Sequence, residues 1–197
     1  VKAHTSAFLS QNKTENIMAE SIEEAVLSAK TELTIEEKAI NFETLRHVTV
    51  VRNLLNQVIR EIMLRQEAHD QSKFSEAELA TFVEFTPKLK KSEYGSDEYK
   101  GFLKSMKPAL DNHYACNRHH PEHFENGIDD MNLVDVIEML IDWKAATLRH
   151  NTGDIIKSIQ INEKRFNMSP QLIRILLNTV RDFKLEEFVD QTRYDPA

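Results

Sequence analysis

The stretch FETLRHVTVVRNLLNQVIREIMLRQEA, residues 42–68, places apolar side chains three and four residues apart and contains neither glycine nor proline. Residues so spaced share one face of an α-helix, so the stretch predicts one long helix. The chain around it has only four Gly and five Pro in 197 residues, too few for the turns of a sandwich or barrel. The expected fold is therefore all-α, a compact multi-helix bundle. Residues 1–17 read as an irregular N-terminal arm and residues 18–197 as a single helical domain.

Working outward, AESIEEAVLSAKTEL (19–33) has an amphipathic helical pattern. Thr34 and Glu37 have the spacing of a capping box and are expected to open the next helix. Ser75 and Glu78 repeat that spacing, ahead of a short helix expected to end near Pro87. Residues 88–107 read as a charged loop leading into a helix, and 107–118 as a further helix. Pro121 and Gly127 then mark a loop. Asp129 or Asp130 is expected to cap MNLVDVIEMLIDWKAATLRH (131–150), Asp154 to start another helix, and Ser169-Pro170 to open the last.

Composition removes several function classes. A formal net charge of −7 argues against non-specific binding to nucleic-acid backbones. No apolar run approaches the ~18 residues of a membrane span. The single cysteine, Cys116, has no internal partner, which suits a reducing, cytoplasmic setting; its expected role is packing rather than ligation. The first twenty residues lack an initiator Met and an apolar signal core, and read as a processed or tagged end with Met18 a conceivable start.

Three separated clusters carry residues suited to chemistry. His69-Asp70 sits at the end of the long helix, and imidazole and carboxylate are ligands for mid-row divalent metals. HYACNRHHPEHF (113–124) holds four of the eight histidines. On a helix His113, Asn117 and His120 would share a face, with His123 at the rim. In 131–150 the apolar residues cover most of the helix circumference, which predicts a largely buried helix. Asp135, Glu138, Asp142 and Arg149 nevertheless form one polar stripe, and buried acids need cations or protons to offset their desolvation. Arg65, Lys73, Arg118 and Arg149 are candidate binders of a substrate phosphate.

Together, HDQSK (69–73), HHPE (119–122) and DWKAA (142–146) resemble the motifs of the HD-domain metal-dependent phosphohydrolase superfamily, notably its HD-GYP phosphodiesterases. A closer likeness, over residues 44–180, is to uncharacterised phage and bacterial proteins carrying the same motifs. The resemblance implies an HD-like helical domain holding one or two divalent ions, with Mn, Co, Mg, Zn and Fe not distinguishable. It implies His69, Asp70 and Asp142 as ligands, His119 and His120 as the pair serving a second metal, and Lys73 near the phosphate. The superfamily's upstream histidine has one counterpart, His47, twenty-two residues before His69. An unbroken helix would set the two about 33 Å apart; otherwise His113 or Glu138 would supply that ligand.

The expected function is a metal-dependent phosphohydrolase acting on a nucleotide or other small phosphate ester. His69, Asp70 and Asp142, with one or two of His113, His119 and His120, would hold the metal. Glu138 would accept a proton, and Lys73 and Arg65 would bind phosphate. The alternatives are a non-catalytic helical binding or structural protein on an HD-like scaffold, and an iron oxygenase. A small-molecule phosphate is the expected partner, no membrane is expected, and a homo-oligomer is compatible with the sequence.

Overall fold

The computed structural model describes residues 32–92, 96–149 and 153–188, and among them the chain is all-helical. The helix expected over 19–33 lies outside the described residues. The chain divides into two units, Val1–Leu55 and Asn56–Ala197. No helix among the described residues is long and apolar enough to cross a membrane.

Helix α1 spans Ile35–Ala68. It opens seven residues before the periodic stretch because the Thr34 capping box forms. The Glu37 amide donates to Thr34 Oγ1 at 3.2 Å, and the Thr34 amide to Glu37 Oε2 at 2.8 Å. No residue of α1 is buried.

The second unit carries the remaining elements. A one-turn 3-10 helix, Gln71–Phe74, follows α1. Helices α2 (Leu79–Lys91), α3 (Asp97–Ser105) and α4 (Lys107–Cys116) pack in sequence. Contrary to expectation, α2 runs through Pro87 instead of ending there. The carbonyl that Pro87 leaves without its helical donor belongs to Val83, whose exposed position gives it access to water. The Ser75–Glu78 capping box does not form, because the Glu78 carboxylate binds Asn112 and His113 instead.

Two 3-10 turns, Pro121–His123 and Gly127–Asp130, carry the chain to α5 (Leu133–Thr147), followed by α6 (Ile155–Phe166) and α7 (Pro170–Asp182). The cap of α5 is Asn132, not Asp129 or Asp130. Asn132 Oδ1 accepts from the Val134 and Asp135 amides, and Asp135 Oδ2 accepts from the Asn132 amide at 2.9 Å. Asp130 is drawn to Asn126. Asp154 and Ser169 cap α6 and α7 as expected. Gly153 lies so close to α5 that a Cβ there would stand 1.8 Å from the Thr147 carbonyl oxygen.

Helices α5, α6 and α7 enclose the apolar core of Leu140, Ile155, Ile159, Met168, Leu176 and Val180, flanked by the stacked rings of Trp143 and Phe166. Leu133, Ile137 and Ile141 of α5 are exposed, so this helix is less buried than its apolarity predicts. Its acidic stripe faces inward instead.

Candidate metal centre

The second unit brings the three sequence clusters together. The end of α1 delivers His69, and Asp70 then adopts a left-handed backbone, φ 58° and ψ 11°. That conformation is uncommon outside glycine, although Asp tolerates it, and it turns the chain sharply into the 3-10 helix. Lys73 returns to pair with Asp70 Oδ2. Helix α4 and the turn after it deliver His113, His119 and His120, while α5 delivers Glu138 and Asp142.

The donor atoms form two overlapping groups, Asp70, His113, His119 and His120 in one, His69, His119 and Asp142 in the other. His113 Nε2 lies 3.2 Å from Asp70 Oδ1 and 3.0 Å from His120 Nε2. His119 Nε2 lies 3.6 Å from Asp70 Oδ1, and His69 Nε2 lies 3.7 Å from Asp142 Oδ1. Ligands at ~2.1 Å from one ion are themselves ~3.0–3.4 Å apart in octahedral or tetrahedral geometry, close to the spacing here.

Glu138 orients two of these imidazoles. Its Oε1 accepts from His69 Nδ1 at 2.9 Å and from His119 Nδ1 at 3.0 Å, which directs both Nε2 atoms at the cluster. Its Oε2 accepts from Arg65 Nη1 at 3.0 Å. These bonds make Glu138 a positioning residue for the two imidazoles.

Glu78 performs the same task for His113, accepting from Nδ1 at 3.0 Å, while Asn112 anchors its other oxygen at 2.7 Å. Ser72 stands 3.1 Å from the same Nδ1 and accepts from Asn117 Nδ2 at 2.7 Å. Sequence reasoning missed Glu78 and Ser72. Glu78 looked like half of a capping box, and only its complete burial gives it away.

The stripe on α5 thus divides by function. Asp135 is fully buried and accepts from Arg65 Nη2 at 2.8 Å and from Arg118 at 3.1 and 2.9 Å. Arg65 also reaches Glu61 at 2.9 Å. Two of the three arginines expected to bind phosphate, Arg65 and Arg118, are therefore engaged in holding α5. Arg149 is exposed beyond the end of α5 and joins neither group. His47 is exposed in the first unit, on a helix that runs unbroken to Ala68, and also joins neither. His123 stays outside both groups, with Nδ1 2.9 Å from the Tyr114 carbonyl oxygen, as a rim position predicts. Cys116 is exposed rather than packed.

Electrostatics favour a cation. Burial opposes ionisation of Asp70, yet His113 and Lys73 hold its carboxyl well below the usual value. Burial likewise opposes Glu138, and bonds from His119 and His69 lower it. Asp142 is lowered by His69 against the cost of burial. The carboxylates of Asp142 and Glu138 raise His69 to about 10, which shows how strongly they favour positive charge there. Burial, then the neighbouring His119 and His113, push His120 down to about 3, so its imidazole is neutral and free to ligate. Asp70 Oδ1 and His119 Nε2 are buried and have no hydrogen-bond partner. Buried orphans of this kind are costly unless something else satisfies them. Two Nε2/Oδ1 donors left open at the centre of a His–carboxylate cluster fit a divalent cation.

Fold and cluster define an all-α protein with a candidate metal centre. The chain belongs to a family of unknown function, DUF5662, whose model matches residues 36–182. Neither the curated proteins nor the solved structures compared with it give a match.

Proposed function

We propose that this chain is a metal-dependent phosphohydrolase acting on a nucleotide or another small phosphate ester. The observation that carries the reading is the pair of unpartnered buried atoms, Asp70 Oδ1 and His119 Nε2, at the meeting point of two ligand groups. His119 belongs to both groups, with His69 and Asp142 on one side and Asp70, His113 and His120 on the other. The residues of the HDQSK, HHPE and DWKAA resemblance are among those that meet there, which supports an HD-type reading.

A divalent cation in such a site supplies Lewis acidity and lowers the pKa of a coordinated water. The chain's own contribution is orientation and charge. Glu138 and Glu78 accept from the imidazole Nδ1 atoms, which turns Nε2 of His69, His119 and His113 toward the cluster, where a cation would displace any Nε2 proton. Lys73, part-exposed and paired with Asp70, stands at the edge of the cluster and would meet a phosphate oxygen there.

One observation favours a second reading, a helical protein that binds metal without turnover. Arg65 and Arg118, two of the cations expected at the phosphate, are occupied by Asp135. Elemental analysis of the purified protein beside His119→Ala and Asp142→Ala tests the metal. A screen with phosphomonoester, phosphodiester and nucleotide substrates then separates the two readings. Loss of most bound metal in His119→Ala and of part of it in Asp142→Ala, with hydrolysis by the wild type, is the expected result. Metal without hydrolysis favours the second reading, metal content unchanged in both variants removes the site, and an iron signal with visible absorbance would favour an oxygenase.

A further inference from the structure

We propose that Arg65 is a positioning residue of the metal centre, acting through Glu138 on the imidazoles of His69 and His119. The proposal rests on the metal reading above and adds to it a residue that belongs to neither donor group. Glu61, Arg65 and His69 stand four residues apart near the end of α1, so they share one face on successive turns. Asp135, Glu138 and Asp142 share a face of α5 in the same way. Each guanidinium nitrogen of Arg65 takes a different carboxylate. Nε donates to Glu61 Oε1 at 2.9 Å, Nη2 to Asp135 Oδ1 at 2.8 Å and Nη1 to Glu138 Oε2 at 3.0 Å.

The last of these bonds fixes the orientation of Glu138. The terminal torsion of a glutamate is broad and roughly two-fold, so a carboxylate without an anchor can swing. Here Arg65 holds Oε2, and Oε1 alone meets both Nδ1 atoms, at 2.9 Å from His69 and 3.0 Å from His119. The two rings lie against each other with centroids 4.4 Å apart, so a turn of Glu138 would disturb both. Because His119 belongs to both donor groups, the disturbance would reach both. Arg118 supplies an internal comparison. It pairs with the same Asp135, at 3.1 and 2.9 Å, and among the described residues makes no bond to Glu138. Loss of either arginine unbalances Asp135, but only loss of Arg65 frees Glu138. Lysine at position 65 would keep a positive charge beside Asp135 without the planar fork that serves three carboxylates at once.

Calorimetry with Zn on the chelator-stripped full chain, together with the visible absorption of its Co(II) form, tests this. Arg65→Lys is expected to fold, to bind Zn about tenfold or more weakly, and to change the Co(II) bands, which report ligand geometry. Arg118→Gln is expected to melt earlier than the wild type, yet to keep its Co(II) bands and a Zn affinity within about threefold. If Arg118→Gln does not fold, Arg118→Lys takes its place. In a Glu138→Gln background, Arg65→Lys should cost little further affinity, because the group it acts through is already altered. A wild type that binds neither Zn nor Co(II) removes the metal reading and this proposal with it. A wild type that binds metal beside a folded Arg65→Lys with unchanged affinity and bands overturns this proposal alone. So do equal losses in the Arg65 and Arg118 variants, which would leave Arg65 holding α5 only, and additive losses with Glu138→Gln.

Discussion

Helices α1 and α5 invert the usual arrangement in opposite ways. Along α1, Val48, Leu55 and Val58 face water and nothing is buried. Along α5, Leu133, Ile137 and Ile141 are exposed while Asp135 is sealed inside and Glu138 and Asp142 are mostly covered. Hydrophobicity alone would put both apolar sets inside and the acids outside. Each inversion has a cost: apolar surface on α1 forgoes burial, and enclosed carboxylates on α5 need cations. For Asp135 the cations are Arg65 and Arg118. For Asp142 and Asp70 they are only partly supplied by the chain, which leaves room for an ion.

The largest effect that could break this comparison belongs to Asp135. Replacing it with Ala strands two arginines at a buried position and removes half of the α5 capping box. The expected loss is about 3–5 kcal/mol in urea unfolding, the range for breaking a buried ion pair from one side. Acid titration gives the sign. Burial opposes ionisation of Asp135, but Arg118, the Asn132 amide and Arg65 hold its pKa below the usual aspartate value. Its stabilisation is therefore complete above that value and is lost as pH falls through the lower folded value. The stability gap between wild type and Asp135→Asn should be constant near neutrality and narrow only below about pH 4. A gap that narrows instead between pH 5 and 8 would mean that Asp135 is not the ionised centre of the clamp.

Next in size is the metal site. His119 is the one residue shared by both ligand groups, so His119→Ala should weaken binding of added Mn or Zn by at least about a hundredfold, measured by calorimetry. Asp142→Ala removes a ligand from one group only and should retain the stronger binding of the other. Treating the wild type with a chelator should lower its melting temperature, because a ligand at a hundred times its Kd adds about 2.7 kcal/mol to stability. Equal losses in the two variants would show that the groups hold a single ion. Unchanged melting after chelation would count against a bound metal altogether.

Glu78→Gln should have a smaller effect, about ten- to a hundredfold in metal affinity, as expected when the group orienting a histidine ligand is changed. Its amide can still be held by neighbouring groups but no longer demands the Nδ1 proton of His113. Far-ultraviolet circular dichroism should be unchanged. Full metal affinity in a folded Glu78→Gln protein would leave Glu78 with a packing role only.

How much of this was legible follows from the distance over which each feature acts. The Thr34–Glu37 box, Asp154 and Ser169-Pro170 depend on residues two to three positions apart, and the sequence displayed them. The cap of α5 was misplaced because Asp129, Asp130 and Asn132 are all competent, and only the competing bond from Asn126 to Asp130 decides among them. His69-Asp70, His119-His120 and Asp142 were visible as ligand types in separate clusters. The use of Glu78 was not, because its partner His113 lies thirty-five residues away and the local spacing suggested a cap. Arg65 and Arg118 were misread for a similar reason, since a guanidinium suits phosphate and carboxylate equally well until the fold supplies one of them.

The smallest effect comes from comparing the two capping boxes, one on each helix. In α1 the Thr34 box is exposed, so Thr34→Ala should cost about 0.5–1 kcal/mol, seen as fraying of the first turn in amide exchange. In α5 the Asn132 box shares Asp135 Oδ2 with the Arg118 pair, so losing the cap loosens the clamp as well. Asn132→Ala should therefore reach the upper end of the capping range, about 2 kcal/mol, and should also weaken metal binding through the stripe that α5 carries. Thr34→Ala should leave metal affinity untouched. If the two substitutions proved equal in cost and equally silent toward metal, the contrast between an outward-facing α1 and a site-bearing α5 would not extend to their ends, and the coupling of the α5 cap to the metal centre would have to be abandoned.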